Sequence, residues 1–344
     1  MADTTVPSSL VKMAWAKDTW ETGVFNAYFN RFIGDNAYSV IQRKTDLKKG
    51  EGTSIRIPLV YPLKGAGVWD DNILEGNEEA MRFGSFDVYL HQIRQAVRLE
   101  GRYEEQKTQI NMRKEAREQL SNWLSTFIDD SIFGILTGVK AKYAEQDTGY
   151  QFPVEAPTRV LYAGTGVTAE GSITTTDTFT ANLIGQAKRM ATANRDTAIR
   201  PIRVDGRNTY VMVIDPYQAR DLRNDPKWIA AQQHANVRGE KNPIFSGAMG
   251  IYDGVVIHEH NSVPRTATGA SNIMVGHALF LGAQAAEMAV GEMPLWETKA
   301  FDYGNKQGFS IGRFVGLKRS VAKYDGTNNL DYGCINVLTS SIED

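Results

Sequence analysis

The sequence predicts an α+β protein, and three patterns indicate this fold class. Mainly apolar residues recur at three- and four-residue steps between about Glu104 and Gly138, which is the period of one face of a long α-helix. Apolar and polar residues alternate from Thr53 to Tyr61, which is the period of a β-strand. Helical patterns alternate with short buried strands over residues 177–285, so that stretch predicts a compact α/β subdomain.

The composition is that of a soluble globular protein with a sizeable core. The chain has 344 residues, of which 42% are hydrophobic and 23% charged. Its net charge of −2 argues against a dedicated nucleic-acid binder, whose domains are usually basic. No apolar run approaches the roughly 20 residues of a membrane span, and the first residues lack the features of a signal peptide. The lone Cys334 excludes an internal disulfide and a cysteine-rich zinc site.

The predicted helix of residues 104–138 is the element around which the other segments are arranged. At about 1.5 Å per residue it is roughly 40–50 Å long, and Gly138 supplies a C-terminal stop. Asp129 and Asp130 are expected on its polar face. Its first turns, through Arg113, are polar nearly all round, so they need a partner beyond the domain's own core. The opposite face is formed by Ala116, Leu120, Trp123, Leu124, Phe127, Ile128, Ser131, Ile132, Ile135 and Leu136.

Residues 1–50 predict an N-terminal arm. They hold many aromatic residues at mixed spacing, with a partly helical pattern from Thr22 to Phe32, which is typical of a segment that lies across other surfaces. The alternative is a first helix packed on the same domain. A short basic run from Arg43 to Lys49 predicts a solvated or intersubunit charge cluster, because no aromatic platform for bases flanks it.

Two strand-like segments, Thr53 to Tyr61 and Phe83 to Leu99, predict an extended β-hairpin. The connection from Pro62 to Arg82 is rich in glycine and acid and is long for a compact domain. A lone hairpin is only marginally stable, and apolar residues in the connection are exposed unless another surface covers them. We expect the hairpin to dock on a neighbouring subunit; the alternative is an active-site lid. The apolar residues concerned are Val68, Trp69, Ile73 and Leu74.

Several further elements are predicted after the long helix. Asp215 and Pro216 mark a helix start, as N-cap and first helical residue. The predicted helices are Asp177–Asn194, 216–222 and Pro226–Asn236, and the predicted strands are Arg159–Tyr162, Tyr210–Ile214, Gly250–His258, Asn272–Leu281, several within Ala286–Lys323, and Cys334–Leu338.

Candidate catalytic motifs do not form a complete site. Gly308-Phe309-Ser310-Ile311-Gly312 matches the nucleophile elbow of serine hydrolases, which needs a strand–turn–helix setting and a later histidine. No histidine follows His277 and the next residues predict a strand, so glycines that break a strand are the favoured interpretation. The sequence holds no Walker A motif and no complete dinucleotide loop. We expect no enzymatic activity and no cofactor.

Two pairs of polar residues, one of histidines and one of aspartates, are further candidate sites. His258 and His260 lie on one face of a predicted strand, a geometry that binds metal only with a third ligand, for which His277 and Asp253 are mere guesses. Ordinary surface or interface histidines are the favoured interpretation. Neighbouring helix positions, such as those of the two aspartates in the long helix, point about 100° apart, so these carboxylates do not face one centre.

Several local motifs also point to a known family. The densest lie between residues 50 and 136: Gly50 to Tyr61, Leu63-Lys64-Gly65-Ala66-Gly67-Val68, Leu74-Glu75-Gly76-Asn77-Glu78-Glu79-Ala80, Gln95-Ala96-Val97-Arg98, Arg113-x-x-Ala116 and Leu120-Ser121-x-Trp123-Leu124. With the order of the segments, they resemble the major capsid proteins of tailed bacteriophages with the Hong Kong 97-like (HK97) fold, closest to the N4-like phages.

This resemblance implies a domain organisation and a function. It implies an N-terminal arm (1–50), an extended loop (51–100), a peripheral domain with a spine helix (101–176), an axial domain (177–285) and a return to the peripheral sheet with a C-terminal strand (286–344). It further implies hexamers and pentamers of an icosahedral shell around double-stranded DNA, assembled in the host bacterial cytoplasm, with a portal and, where present, scaffolding or decoration proteins as partners. Expected contact residues between subunits are Lys64, Val68, Trp69, Ile73, Leu74, Glu78 and Glu79.

Two alternatives remain beside this interpretation. An encapsulin, which is a cellular nanocompartment of the same fold, is the first, and a serine hydrolase using Ser310 is the second. Covalent linkage is a separate question within the capsid interpretation, because some relatives of the fold join subunits by Lys–Asn isopeptide bonds. Lys64 with Asn328 or Asn329 would be the residues for this, but the sequence around them shows no match.

Overall fold

A long helix lies between two β-sheets in this protein, and a separate hairpin packs by its base on the first sheet. The computed structural model describes residues 27–45, 52–61, 63, 65–107, 111–140, 152–204, 206–233, 248–291, 295–323 and 329–343. None of the helices in these ranges is long and apolar enough to cross a membrane.

The elements of the described ranges are as follows. The strands are β1 (Ile33–Gly34), β2 (Ile41–Lys44), β3 (Ser54–Val60), β4 (Phe83–Tyr89), β5 (His91–Arg98), β6 (Val160–Tyr162), β7 (Ile202–Val204), β8 (Arg207–Ile214), β9 (Ala248–Tyr252), β10 (Val255–Glu259), β11 (Arg265–Thr266), β12 (Val275–Leu281), β13 (Ala286–Val290), β14 (Leu295–Phe301), β15 (Lys306–Arg319), β16 (Val321–Ala322), β17 (Leu330–Asp331) and β18 (Cys334–Ser340). The α-helices are α1 (Arg102–Lys107), α2 (Met112–Thr137), α3 (Ala181–Thr192), α4 (Pro216–Asn224) and α5 (Pro226–Gln233). Short 3-10 helices lie at Tyr28–Phe32, Glu170–Ser172, Ala270–Asn272 and Asp302–Gly304.

Helix α2 confirms the predicted long helix but begins later in the chain. Asn111 is its N-cap, and the Asn111 side chain accepts the N–H of Lys114 at 3.2 Å. Gly138 ends it in a left-handed conformation with a φ of 78°, as predicted. The 26 residues between these caps span about 39 Å. The earlier residues 102–107 form the separate helix α1, and residues 108–110 lie outside the described ranges.

The first sheet, called the body sheet below, packs one face on α2. Its strand order is β1-β2-β13-β15-β14, and β5 pairs with residues 308–315 of β15 on the edge opposite β14. Because side chains alternate along a strand, every second residue of β15 points towards the helix, among them Phe309, Ile311, Val315 and Leu317. Strand β2 lies parallel to β13, so the described end of the predicted N-terminal arm is part of this sheet.

The prediction that the second strand of the hairpin runs from Phe83 to Leu99 was wrong. Residues 83–99 form two strands rather than one, since β4 pairs with β3 and β5 joins the body sheet. The two strands separate at Leu90, whose N–H donates to the carbonyl of Thr53 at 2.8 Å. The weaker alternation of this segment is the sequence signal of the break.

The second sheet is buried on both faces. Its strand order is β6-β18-β12-β8-β10-β9, with β11 on β12 and β7 on β8. One face packs on α3, α4 and α5, and the other contributes Val211, Leu279 and Cys334 to the core around α2. The predicted N-cap Asp215 is confirmed, and it forms a capping box with Gln218.

The sheet topology is relevant to how the chain is divided into domains. Two short stretches outside residues 177–285, β6 and β18, pair with the strands of the second sheet. Strand β2 pairs with β13 of the returning segment. The chain therefore passes between the two sheets more than once, and the boundaries of the predicted domains stay a prediction.

Candidate intersubunit surface

The base of the hairpin is anchored on the body sheet. Strands β3 and β4 pair from Ser54 opposite Tyr89 to Val60 opposite Phe83. At the base, the apolar residues Ile55, Ile57 and Val88 form a small buried cluster with Ala289 of β13. The hairpin is thus held at one end by apolar packing, and its connection lies at the far end of the ribbon.

The connection contains two formed turns, and together they are called the hairpin tip (residues 65–79). In the first turn, the N–H of Asn72 donates to the carbonyl of Trp69 at 3.3 Å, with Asp70 at a positive φ of 51°. In the second, the N–H of Asn77 donates to the carbonyl of Leu74 at 2.9 Å. Gly76 follows with a φ of 89°, a conformation that glycine adopts without strain.

Large apolar side chains of the tip lie in solvent within this chain. Trp69 and Ile73 are each 72% exposed and Leu74 is 59% exposed, while Val68 is half-buried. Exposed apolar groups that are clustered in this way mark an interaction site. The structure therefore brings three of the predicted contact residues together on one protruding tip, and their contact with a neighbouring subunit stays a prediction.

The predicted acidic contact residues accept hydrogen bonds from the backbone of the tip and so stabilise its conformation. Glu78 accepts the N–H of Gly76 at 2.8 Å, and Glu79 accepts the N–H of Gly65. Both glutamates are exposed. The remaining predicted residue, Lys64, lies outside the described ranges, as does Asn328 of the imagined isopeptide pair.

Sequence reasoning missed part of the apolar surface of the ribbon. Val60 and Phe83 are directly opposite each other and are 62% and 68% exposed. Leu63 and Met81, near the two ends of the connection, are 63% and 60% exposed. The alternation of the strands contains this signal, because a solvent-facing position occupied by a large apolar residue is itself unusual.

Ser310 does not lie in a nucleophile elbow. It is in the middle of the continuous strand β15, between Ala96 of β5 and Glu297 of β14, and its hydroxyl donates to the Glu297 carbonyl at 3.4 Å. The interpretation of the motif as strand is confirmed. The expectation that its glycines break the strand was wrong, because neighbouring strands hold all 14 residues of β15.

The two histidines lie in an aromatic cluster. The surface interpretation was wrong for His258, which is buried, whereas His260 is half-buried and an interface position stays a prediction. His258 is 1% exposed with its ring 5.5 Å from that of Phe32, and the ring of His260 lies 4.3 Å from that of Tyr28. The guessed third ligands have other partners: His277 contacts Thr266 at 2.7 Å, and Asp253 pairs with a lysine. Across the described ranges, no group of three potential ligands converges on one point.

Asp129 fastens the described N-terminal residues to α2. The sequence placed it on an exposed face, which was wrong, since Asp129 is 7% and Asp130 is 9% exposed. Its carboxylate accepts the N–H groups of Tyr28 at 2.8 Å and Phe29 at 3.0 Å, at the start of the 3-10 helix. Burial raises the pKa of Asp129 to about 6, although these two donors favour the charged form.

A polar cavity lies between the hairpin base and the body sheet. Its volume is about 220 Å³, and its walls include Ile57, Phe86, Lys44 and Glu287. Glu287 is 2% exposed, and one carboxyl oxygen has no hydrogen-bond partner in the described part of the chain. Burial raises the pKa of Glu287 from 4.5 to about 7, against the opposing charge of Lys44.

The architecture matches that of solved phage capsids, and this defines the class of protein: a subunit of a viral shell with the predicted HK97-like fold. The capsid of Ralstonia phage GP4 matches with a TM-score of 0.79 and 31% identity over 92% of each chain. The capsid asymmetric unit of cyanophage Pam1 matches with a TM-score of 0.75 and 21% identity over 100% of each chain.

Comparison with related sequences identifies the family to which the chain belongs. A family model described as phage capsid protein matches residues 3–343, so the chain belongs to that family. The chain is 33% identical to the major capsid protein of Pseudomonas phage KPP25, over 96% of this chain and 95% of the relative. This protein is a major capsid protein of a phage.

Proposed function

We propose that copies of this chain close into an icosahedral shell of hexamers and pentamers around double-stranded DNA, and that each hairpin tip docks on a neighbouring copy. The observation that carries the docking is the exposure of Trp69, Ile73 and Leu74 on a tip whose own hydrogen bonds are already satisfied locally. Burying such side chains against a neighbour contributes about 25 cal/mol for each Å² of apolar surface removed from water.

In this proposal, assembly depends on how neighbouring copies are oriented and not on a chemical reaction. Each copy makes heterologous contacts, which form closed rings only when the rotation between copies closes. Individually modest contacts then strengthen one another, because each further contact forms at a high effective concentration. The net charge of −2 favours this process, since a strongly charged chain repels its own copies.

The double variant Trp69→Ser/Leu74→Ser tests the docking. The subunit should remain folded, because both side chains are exposed, and few closed shells should form. Shell yield is measured by sedimentation and negative-stain microscopy after expression of the full chain. Met190→Ser/Ile229→Ser is the matched control, since these residues are 38% and 42% exposed on α3 and α5. Normal shell yield from the tip variant would refute the docking.

The remaining parts of the proposal concern location and partners. The two sheet-centred units correspond to the peripheral and axial domains, and the shell assembles in the cytoplasm of a bacterial host with a portal, and with scaffolding or decoration proteins where the phage has them. The encapsulin alternative is distinguished by particle contents, because an encapsulin encloses a cargo protein and a phage capsid encloses a genome. Denaturing electrophoresis of mature particles tests covalent linkage, which requires ladders of oligomers.

A further inference from the structure

The hairpin meets the body sheet across the polar cavity described above, which is called the base cavity below. Its two sides differ in their chemistry. The sheet side is polar and includes Lys44 of β2, Glu287 of β13 and Ser320, which follows β15. The hairpin side is apolar and is formed by Ile57, Pro58, Leu59 and Phe86. The base cavity is therefore a seam between the ribbon and the body of the chain.

Two buried polar atoms on the sheet side have no hydrogen-bond partner within the part of the chain that the structure describes. They are one carboxyl oxygen of Glu287 and the hydroxyl of Ser320, whose residues are 2% and 3% exposed. A buried polar group is costly unless a partner or a water molecule satisfies it. The apolar side chains of the hairpin offer no donor to an ionised Glu287. Solvation of this charge therefore requires water to enter the base cavity.

Charged groups face Glu287 from the strands on either side and from the hairpin. Burial raises the pKa of Glu287 to about 7, although the charge of Lys44 on β2 opposes this shift. Lys318 of β15 lies opposite Glu287 in the strand register. On the hairpin, Arg56 and Asp87 form an ion pair of 2.8 Å. A hydrogen bond from Arg56 lowers the pKa of Asp87, and the charge of Lys318 adds to this effect. These two hairpin charges neutralise each other, so they give little support to an ionised Glu287.

One further titratable group lines the base cavity from the segment between β17 and β18. It is the hydroxyl of Tyr332, which accepts a hydrogen bond from Arg200 at 2.8 Å. Arg200 thus spends one of its donors on this hydroxyl.

The apolar seat of the hairpin base is small. Ile55, Ile57 and Val88 pack there against Ala289, in a cluster far smaller than the core around α2. Elements with few buried apolar contacts open locally at a lower free energy than the core does. Leu90 alone separates β4 from β5, and β5 is paired with β15 along its whole length. The ribbon can therefore pivot at this residue while the body sheet stays intact.

We propose that the base cavity makes the hairpin base a pH-sensitive hinge. While Glu287 is protonated, the base stays seated on the body sheet; when Glu287 ionises, water enters the cavity and the base detaches more often. The core stays folded in both states. Because the tip lies at the far end of the ribbon, a small rotation at the base moves the tip by a larger distance. The hinge is a property of a single copy, so it does not depend on the proposed docking.

Detachment of the hairpin base should release a proton from Glu287. In the seated state the pKa of Glu287 is about 7, and in the detached state the hydrated carboxyl returns to its ordinary value of 4.5. The detached state therefore binds fewer protons between these values, and a higher pH favours it. Between pH 5.5 and pH 8, the detached fraction should rise about 30-fold.

A thiol placed in the seat measures this detachment on the full-length, unassembled subunit. Ala289→Cys introduces it at a position that is 1% exposed, where iodoacetamide reaches it only after the base detaches. Labelling rates are divided by those of a free-cysteine peptide at the same pH, which removes the titration of the thiol itself. The normalised rate should rise about 30-fold from pH 5.5 to pH 8. The natural Cys334, buried in the core around α2, reports global unfolding and should react at least about tenfold more slowly.

Glu287→Gln combined with Ala289→Cys is the matched control, because glutamine cannot ionise and its normalised rate should stay constant with pH. Val88→Cys places the thiol on the hairpin side of the same cluster and repeats the measurement if Ala289→Cys does not fold. The same pH dependence with glutamate and with glutamine at position 287 would overturn the proposal. Labelling of Cys334 as fast as the thiol in the seat would also overturn it, since the whole subunit would then be unfolding.

Discussion

Arg319 and Asp331 form an ion pair of 2.7 Å in which the side chains are only 4% and 1% exposed. The second oxygen of Asp331 accepts the N–H of Thr158 at 2.7 Å. Arg319 also donates to the carbonyls of Ala156 at 2.7 Å and Ile135 at 3.5 Å. The pair therefore joins the end of β15 to the last turn of α2 and to the segment that leads into the second sheet.

Asp331→Asn should destabilise the subunit strongly. It leaves the guanidinium of Arg319 buried without a counter-charge, a change that costs about 3–5 kcal/mol. Urea unfolding of the unassembled subunit measures the loss. Asp35→Asn is the matched control, because Asp35 pairs with Arg43 at 2.9 Å at the surface and such pairs contribute about 0–1 kcal/mol. Equal losses in the two variants would contradict the structural role of the buried pair.

Glu287 should make the stability of the subunit depend on pH. Its pKa in the folded chain is raised from 4.5 to about 7, so folding favours the protonated form. The stabilisation is complete below the ordinary pKa and is lost as the pH rises through about 7. Glu287→Gln keeps the shape and cannot ionise, so the variant should gain stability relative to the natural chain by up to about 3 kcal/mol between pH 5 and pH 8.

The measurement is urea unfolding of unassembled subunits at several pH values across that range. Glu297→Gln serves as the control for the loss of a carboxylate, because Glu297 is exposed on the same sheet. A constant difference between the Glu287→Gln variant and the natural chain across the range would show that Glu287 ionises alike in the folded and unfolded states.

Much of the fold was predictable because its signals are local. The period of α2 and its stop at Gly138 come from residues close in sequence, as does the capping box at Asp215. The exposed tip was also predictable, since Trp69 and Leu74 lie in a connection too long and acidic for a core.

Other features depend on partners far away in the chain. Asp129 is buried because it binds the backbone of Tyr28, 101 residues earlier. Ser310 lies within a paired strand because β5 and β14 pair with opposite edges of β15. Glu287 has an altered pKa because a hairpin from another segment covers it. No periodicity within a single segment encodes these contacts.

Gly316→Ala should displace the hairpin base and reduce shell formation. The backbone of β4 lies so close to Gly316 that a Cβ would be 2.3 Å from the carbonyl oxygen and 3.0 Å from the carbonyl carbon of Tyr89. Both atoms belong to the backbone, so the strand itself must move, and overpacking of this kind costs about 1–3 kcal/mol. Because the ribbon carries the tip, a small shift at its base moves Trp69 by a larger distance.

Gly185→Ala is the control for this substitution. Gly185 lies in α3 with no atom near an added Cβ, so alanine should stabilise the helix by about 0.5–1 kcal/mol and leave shell yield unchanged. Unfolding free energy and shell yield are measured on both variants. If Gly316→Ala lowers the yield while the unfolding free energy barely falls, the hairpin has moved without loss of the core. Unchanged stability and yield would mean that the close approach of β4 to β15 does not position the tip.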